Sequence, residues 1–259
     1  MIKLAFLGTG TCTSTTRNPQ SFVLSNGNES VLIDAGGGCY HQLARLIEKD
    51  VFFSKRISAI IFTHYHMDHI SGLPDIFWGE VYGRMEPRSE SITLIGPPGL
   101  FDFYKKQFLS FYNDDIPFHV ELIELKDTEQ YDYTFFNLQS FQLYHNENST
   151  GYFLTVQNNK IAITGDTGIC ENLMSLLQFA DIAIVEWSEA GAKTYDKHIF
   201  TEDIIELLKN NLFPKVTFFV HLYLRNTSFE QQISEYKKQL KLGESTFYFA
   251  QDLDIYEMD

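Results

Sequence analysis

His64-Tyr65-His66-Met67-Asp68-His69 places three imidazoles and a carboxylate within six positions. The stretch follows Ile57-Ser58-Ala59-Ile60-Ile61-Phe62, an apolar run that reads as a buried strand. Side chains on a loop leaving a strand can converge on one small volume, and imidazole with carboxylate is the donor set of zinc and its first-row neighbours. The remaining donors are sought where other apolar runs stop. His145 ends Phe141-Gln142-Leu143-Tyr144, Asp166 follows Lys160-Ile161-Ala162-Ile163-Thr164-Gly165, His221 ends Val216-Thr217-Phe218-Phe219-Val220, and Asp34 ends Val31-Leu32-Ile33. Strand-to-loop junctions are where α/β scaffolds carry chemistry. Singly, each residue also reads as an ordinary turn or cap residue; beside the His64–His69 motif they form a set.

At this point the chain resembles the metallo-β-lactamase superfamily, in the branch of ribonuclease Z and related small phosphodiesterases. The matching pieces are FLGTGT (6–11), TRNPQS (16–21), LIDAGGG (32–38), THYHMDHISGLP (63–74), GPPGL (96–100), the His145 segment running to Gly151-Tyr152, TGDTG (164–168), His198 in HIFTED and VHLY (220–223). They run through nearly the whole chain. The resemblance implies two divalent metal ions, zinc by default, although such N/O donor sets also accept manganese, iron or nickel. It implies one ion on His64, His66 and His145, a second on Asp68, His69 and His221, and Asp166 bridging them. Seven donors exceed one tetrahedral zinc and divide between two. Asp34 is implied to hold a ligand imidazole from behind and set its tautomer.

His198 precedes Phe200-Thr201-Glu202-Asp203, where Thr201 is expected to cap a helix. Alone it reads as a surface histidine at a helix start. In ribonuclease Z-like enzymes the matching histidine reaches the metal site and assists the leaving group, and the resemblance implies that role here. Glu186, ending Ile182-Ala183-Ile184-Val185, matches an acidic position that can orient this histidine; alone it reads as a strand-end carboxylate in solvent. The implied catalytic set is therefore Asp68, His198 and Glu186. His41 reads as a helix-face residue and His119 as strand surface.

The 259 residues are 44% hydrophobic and 15% aromatic, enough for a large core in one α/β domain over 1–259. No apolar stretch approaches ~18 residues, so no membrane span or membrane partner is expected. Met1 to Gly8 is too short before its glycine for a signal peptide and reads as a first strand. Three scattered cysteines, Cys12, Cys39 and Cys170, without a CxxC pair, point to a reducing cytoplasm and no structural zinc knuckle, a departure from some phosphodiesterases of the branch. Strand-like runs dominate 2–34 and 116–165. Helical patterns cover 40–49, 71–83, 99–111, 171–178, 201–210 and 229–240. Two β-rich stretches interleaved with helices suit a four-layer αββα sandwich, the architecture of the superfamily, with 1–125 and 126–259 as its sheet-plus-helix halves.

Two metals about 3.5–4 Å apart can bind one water between them, lower its pKa and neutralise charge in a phosphoryl transition state. No protein nucleophile is expected: Ser188, in Trp187-Ser188-Glu189, lacks a GxSxG setting. Ribonuclease Z commonly carries a protruding arm between the positions matching Tyr152 and Asp166; here Phe153 to Gly165 leaves room only for two strands and a hairpin at Asn158-Asn159. Lys+Arg 20 against Asp+Glu 34 gives a net charge of −14 with no basic run, which disfavours a nucleic-acid clamp. A small, cyclic or nucleotide-like phosphodiester is the favoured substrate. The alternatives are tRNA 3′ processing, hydrolysis of another ester, lactone or sulfate ester, and a non-catalytic metal-binding sensor. A homodimer is compatible with all of these.

Overall fold

The computed structural model of the chain describes residues 1–53, 56–83, 88–112, 116–188, 193–223 and 245–258. It divides into two compact units, Met1–Leu125 with Gln251–Asp259, and Lys126–Ala250. Each unit is a seven-stranded mixed sheet with helices.

In the first unit, β1 (Ile2–Gly8), β2 (Ser21–Ser25) and β3 (Ser30–Ile33) are antiparallel neighbours. From β3 the sheet continues in parallel through β4 (Ile57–Ile61), β5 (Ile92–Gly96) and β6 (Val120–Glu124). Parallel neighbours need crossovers, and helices supply them: α1 (Cys39–Lys49), α2 (Met67–Ile70) with α3 (Leu73–Tyr82), and α4 (Leu100–Asp102). Ala5, Leu7, Val23, Leu32 and Ile60 of the sheet form one apolar core with Leu43, Leu46, Leu73 and Phe77 of the helices. Leu4, Phe6, Phe22, Leu24, Val31 and Ile33, which alternate with them, are buried as well. This is why the strands read as continuous apolar runs rather than as an in–out alternation.

The second unit repeats the plan, antiparallel strands first and parallel strands after. β7 (Gln130–Tyr133), β8 (Phe136–Gln142), β9 (Thr150–Val156) and β10 (Asn159–Ile163) are antiparallel in sequence, and β10 leads in parallel to β11 (Ile182–Glu186), β12 (Val216–Val220) and β13 (Thr246–Phe249). α5 (Glu171–Gln178) and α6 (Thr201–Lys209) make the β10–β11 and β11–β12 crossovers and bury Leu173, Leu176, Ile204 and Leu207 with Ala162, Val185 and Phe219 of the sheet. The chain then returns to the first sheet, where β14 (Ile255–Met258) pairs antiparallel with β1. The second half therefore ends at Ala250, not at 259.

Other local expectations are corrected by one or a few residues. The turn between β9 and β10 is Gln157-Asn158, with Gln157 at φ 55°, because Asn159 already pairs with Val156. The 99–111 helix is a short α turn that widens to π-type turns over Phe103–Phe108 and tightens to 3₁₀ over Leu109–Tyr112. The 71–83 helix begins at Leu73, and a separate helical turn, Met67–Ile70, carries Asp68 and His69. Phe200, not Thr201, caps α6: Asp203 Oδ2 accepts the Phe200 N–H at 2.9 Å, and Thr201 Oγ1 accepts from Trp187 Nε1 at 3.3 Å. The expected 229–240 helix lies outside the described residues. Among those described, no helix is long and apolar enough to cross a membrane.

The three cysteines sit in different environments: Cys12 exposed, Cys170 intermediate and Cys39 buried, with burial pushing the Cys39 thiol up to about 12. Only thiolate reacts. Ellman's reagent at pH 8 is expected to titrate Cys12 first and to reach Cys39 only after denaturant is added. Fast native labelling of Cys39 would contradict the packing around α1.

Candidate metal centre

Except for His145, which follows the antiparallel β8, the donors stand at or just beyond the carboxyl ends of parallel strands, where open α/β sheets bind ligands. In the first unit, Asp34 directly follows β3 and His64 lies three residues beyond β4. The backbone around Asp34 is pinned to the metal motif: the Ala35 N–H donates to the His69 carbonyl at 2.7 Å and the Gly72 N–H to the Ala35 carbonyl at 2.8 Å. That approach requires glycine, since a Cβ on Gly72 would stand 2.3 Å from the Gly36 carbonyl oxygen.

Asp34 is wholly buried and adopts φ 54°, a left-handed backbone that aspartate tolerates better than most residues. Its carboxylate accepts four times: from the Thr63 N–H (2.8 Å), Thr63 Oγ1 (2.9 Å), Gln20 Nε2 (3.2 Å) and His69 Nδ1 (2.7 Å). The last bond leaves the lone pair of His69 on Nε2. Because the Thr63 hydroxyl proton goes to Asp34, its oxygen is left to accept from His64 Nδ1 at 3.1 Å, which puts the His64 lone pair on Nε2 too. The rings cluster tightly, His64 to His69 at 4.1 Å and His64 to His66 at 4.6 Å. His66 is exposed, while Asp68 is buried.

In the second unit, Asp166 follows β10, Glu186 ends β11 and His221 follows β12 with φ 57°. His145 donates Nδ1–H to the Lys197 carbonyl at 2.9 Å, so its Nε2 carries the lone pair. His198 donates from Nδ1 to Glu186 Oε2 at 2.8 Å, and Ser188 Oγ donates to the same oxygen at 2.5 Å. His221 turns Nδ1 toward Ser188 Oγ (3.5 Å) and Glu186 Oε2 (3.7 Å). The other Glu186 oxygen accepts the Thr167 N–H. His198 and Glu186 are thus both buried, unlike the surface placements that they suggest when taken alone.

Asp166 is approached on the opposite side of these rings. Its Oδ2 lies 3.9 Å from His145 Nε2 and its Oδ1 lies 3.3 Å from His221 Nε2. A carboxylate oxygen and an imidazole lone pair repel each other at such distances unless a cation or proton lies between them. Donor atoms of Asp166, Glu186, His198 and His221 fall within 4.8 Å of one another, and these residue types are chemically suited to a divalent ion. Glu186, engaged from the Nδ1 side, serves to position rings rather than to join the donors facing Asp166.

His41 and His119 are exposed and stand apart from these sets. Residue-level reading of the sequence missed three supports. Thr63 and Ser188 relay between a carboxylate and an imidazole, and hydroxyl residues at strand ends are too common to signal this. The Lys197 contribution is a backbone carbonyl, which any residue would provide.

Comparison with known proteins adds the following. The family model described as anti-Pycsar protein Apyc1 matches residues 2–194. The chain is 33% identical over 147 residues to a ribonuclease Z of Clostridium kluyveri, a match covering 56% of this chain and 45% of that one, so it spans under half of that relative. It is 24% identical to the ribonuclease Z of Staphylococcus carnosus, covering 99% of this chain and all of the other over 314 aligned positions. Among solved structures, the metallo-β-lactamase fold protein YhfI of Bacillus subtilis superposes with a TM-score of 0.77 at 16% identity, over 98% of both chains. That likeness shows the fold.

Removal of the acceptor behind His69 tests the first unit. Asp34→Asn would replace an acceptor oxygen with a donor NH₂ and disturb both imidazole tautomers. Loss of such a partner typically costs about 10–100-fold in metal affinity. Zinc competition against a chromogenic chelator should read that loss; an unchanged affinity would remove Asp34 from the site.

Proposed function

The chain belongs to the anti-Pycsar protein Apyc1 family, in the ribonuclease Z-like branch of the metallo-β-lactamase superfamily of metal-dependent hydrolases, and from that premise we propose that it is a dinuclear phosphodiesterase acting on a small, cyclic or nucleotide-like phosphodiester. The observation that carries the two-metal reading is Asp166, whose two oxygens face two different imidazole lone pairs. A carboxylate so flanked suits a bridging ligand. In the proposal His64, His66 and His145 hold one ion and Asp68, His69 and His221 the other, with zinc the default.

Bound divalent ions would supply Lewis acidity and a nucleophilic water near neutral pH. The protein's part is orientation and proton handling. Asp34, Thr63, the Lys197 carbonyl and the Glu186–Ser188 pair each hold an imidazole at Nδ1 and aim its Nε2. Glu186 accepts from His198 Nδ1 and fixes the orientation of that ring. In the proposal a proton carried on His198 Nε2 goes to the departing oxygen. Ser188 hydrogen-bonds to Glu186 and is read as a support, not a nucleophile.

Substrate size follows from two features. Between Tyr152 and Asp166 the chain makes only the tight β9–β10 hairpin, so the arm common in ribonuclease Z is missing there. The net charge of −14 offers little for a long polyanion. Precursor tRNA is accordingly expected to bind weakly and without preference over other RNA; efficient trailer cleavage at physiological salt would reverse this ranking.

A panel of bis-p-nitrophenyl phosphate, carboxyl esters and sulfate esters tests the reaction class, and elemental analysis should find about two metals per chain. Preference for a carboxyl or sulfate ester would transfer the proposal to that bond. Within the phosphodiesters, His198→Ala should keep metal content near native and lower turnover by about 10²–10⁴-fold for alkoxide-like leaving groups, and far less for p-nitrophenolate. Equal losses for both would make His198 a phosphate-binding residue instead.

A further inference from the structure

Tyr195 stands three residues before His198 and is 48% exposed. Its ring meets His198 at 5.4 Å and 86°, and Phe200 at 5.5 Å and 85°. Both of those neighbours are buried. The two residues that follow Tyr195 are tied to the His145 segment. The Asp196 carboxylate accepts from the Tyr144 hydroxyl at 3.0 Å, and the Lys197 carbonyl accepts from His145 at 2.9 Å. Gly168 closes the same contact, because a Cβ there would lie 1.7 Å from the Asp196 carbonyl oxygen. Tyr195 is therefore an exposed aromatic ring on an anchored strap, beside the proposed proton donor.

We propose that Tyr195 is a specificity-determining residue, a platform on which the flat base of a nucleotide-sized substrate stacks. This rests on the phosphodiesterase reading and extends it to the part of the substrate away from phosphorus. The chain carries a net charge of −14, and the nearby Lys193 is engaged with Asp203 at 2.8 Å. A π face needs no cation: every base can stack on an aromatic ring, and a ring held in place gives up little freedom when it does so.

The test is calorimetric and uses the full chain loaded with zinc. A nucleoside 5′-monophosphate is compared with ribose 5-phosphate, which has the phosphate and sugar but no base. The native protein should bind the nucleotide roughly 5- to 150-fold more tightly. Tyr195→Ala should collapse that ratio toward one while leaving ribose 5-phosphate affinity unchanged; Tyr195→Phe and Tyr195→Trp should preserve it. A ratio untouched by Tyr195→Ala, in protein that still hydrolyses phosphodiesters, overturns the platform and leaves the phosphodiesterase reading standing. Loss of both ligands in Tyr195→Ala makes the residue structural and also overturns it. Native protein that neither binds ribose 5-phosphate nor hydrolyses a phosphodiester sinks the underlying reading and the platform with it. A short oligoribonucleotide with a greater dependence on Tyr195 than the mononucleotide would reject the mononucleotide-sized class.

Discussion

An imidazole becomes a metal ligand only when its other nitrogen has somewhere to put a proton, and this chain meets that requirement repeatedly. His69 donates a hydrogen bond from Nδ1 to Asp34, His64 to Thr63 and His145 to the Lys197 carbonyl, and His198, the implied proton donor, does the same to Glu186. Each acceptor is buried or part of the backbone, so the tautomer is set by the fold and not by solvent. The remaining features of the site follow. With Nδ1 occupied, the Nε2 lone pairs of His145 and His221 are turned toward the Asp166 carboxylate, an arrangement that invites a cation.

The scaffold makes these acceptors available because the sheets are parallel where the chemistry is. Parallel strands end on the same edge, so β3 and β4 deliver Asp34 and His64 side by side, and β10, β11 and β12 deliver Asp166, Glu186 and His221. The antiparallel strands carry fewer of these residues, His145 after β8 being the exception. The left-handed backbones of Asp34 and His221 show where the chain bends sharply to hold a polar side chain at a strand end. Such conformations cost energy for residues other than glycine and persist where surrounding contacts over-determine them.

In the proposed function Glu186 would link binding and catalysis in the second unit. One buried carboxylate oxygen receives His198 and Ser188 and faces His221, while the other receives the Thr167 N–H next to Asp166. A change there would be felt by an implied metal ligand and by the implied proton donor together. The Asp196-Lys197 strap couples in the same way, fixing His145 through a carbonyl while carrying His198 as its next residue.

Much of this was legible in the amino-acid sequence. Runs such as Ile57–Ile61 and Val216–Val220 mark strands buried on both faces, amphipathic spacing marks α1, α5 and α6, and the polar residues at the run ends include every implied donor. These are local signals, since a residue's chemistry and its neighbours along the chain carry them. Three kinds of feature were not legible. The return of 255–258 to β1 and the pairing of Asp34 with His69 join residues far apart in the chain, so no spacing encodes them. The family resemblance implied the pairing of Glu186 with His198, but their burial depends on what packs over a strand end, and each residue taken alone reads as surface. The carbonyl of Lys197 leaves no trace in residue identity, because every residue has one. Composition and pattern along the chain thus pick out the candidate donors, whereas which nitrogen of each imidazole holds its proton, and what accepts from it, is a property of folded geometry.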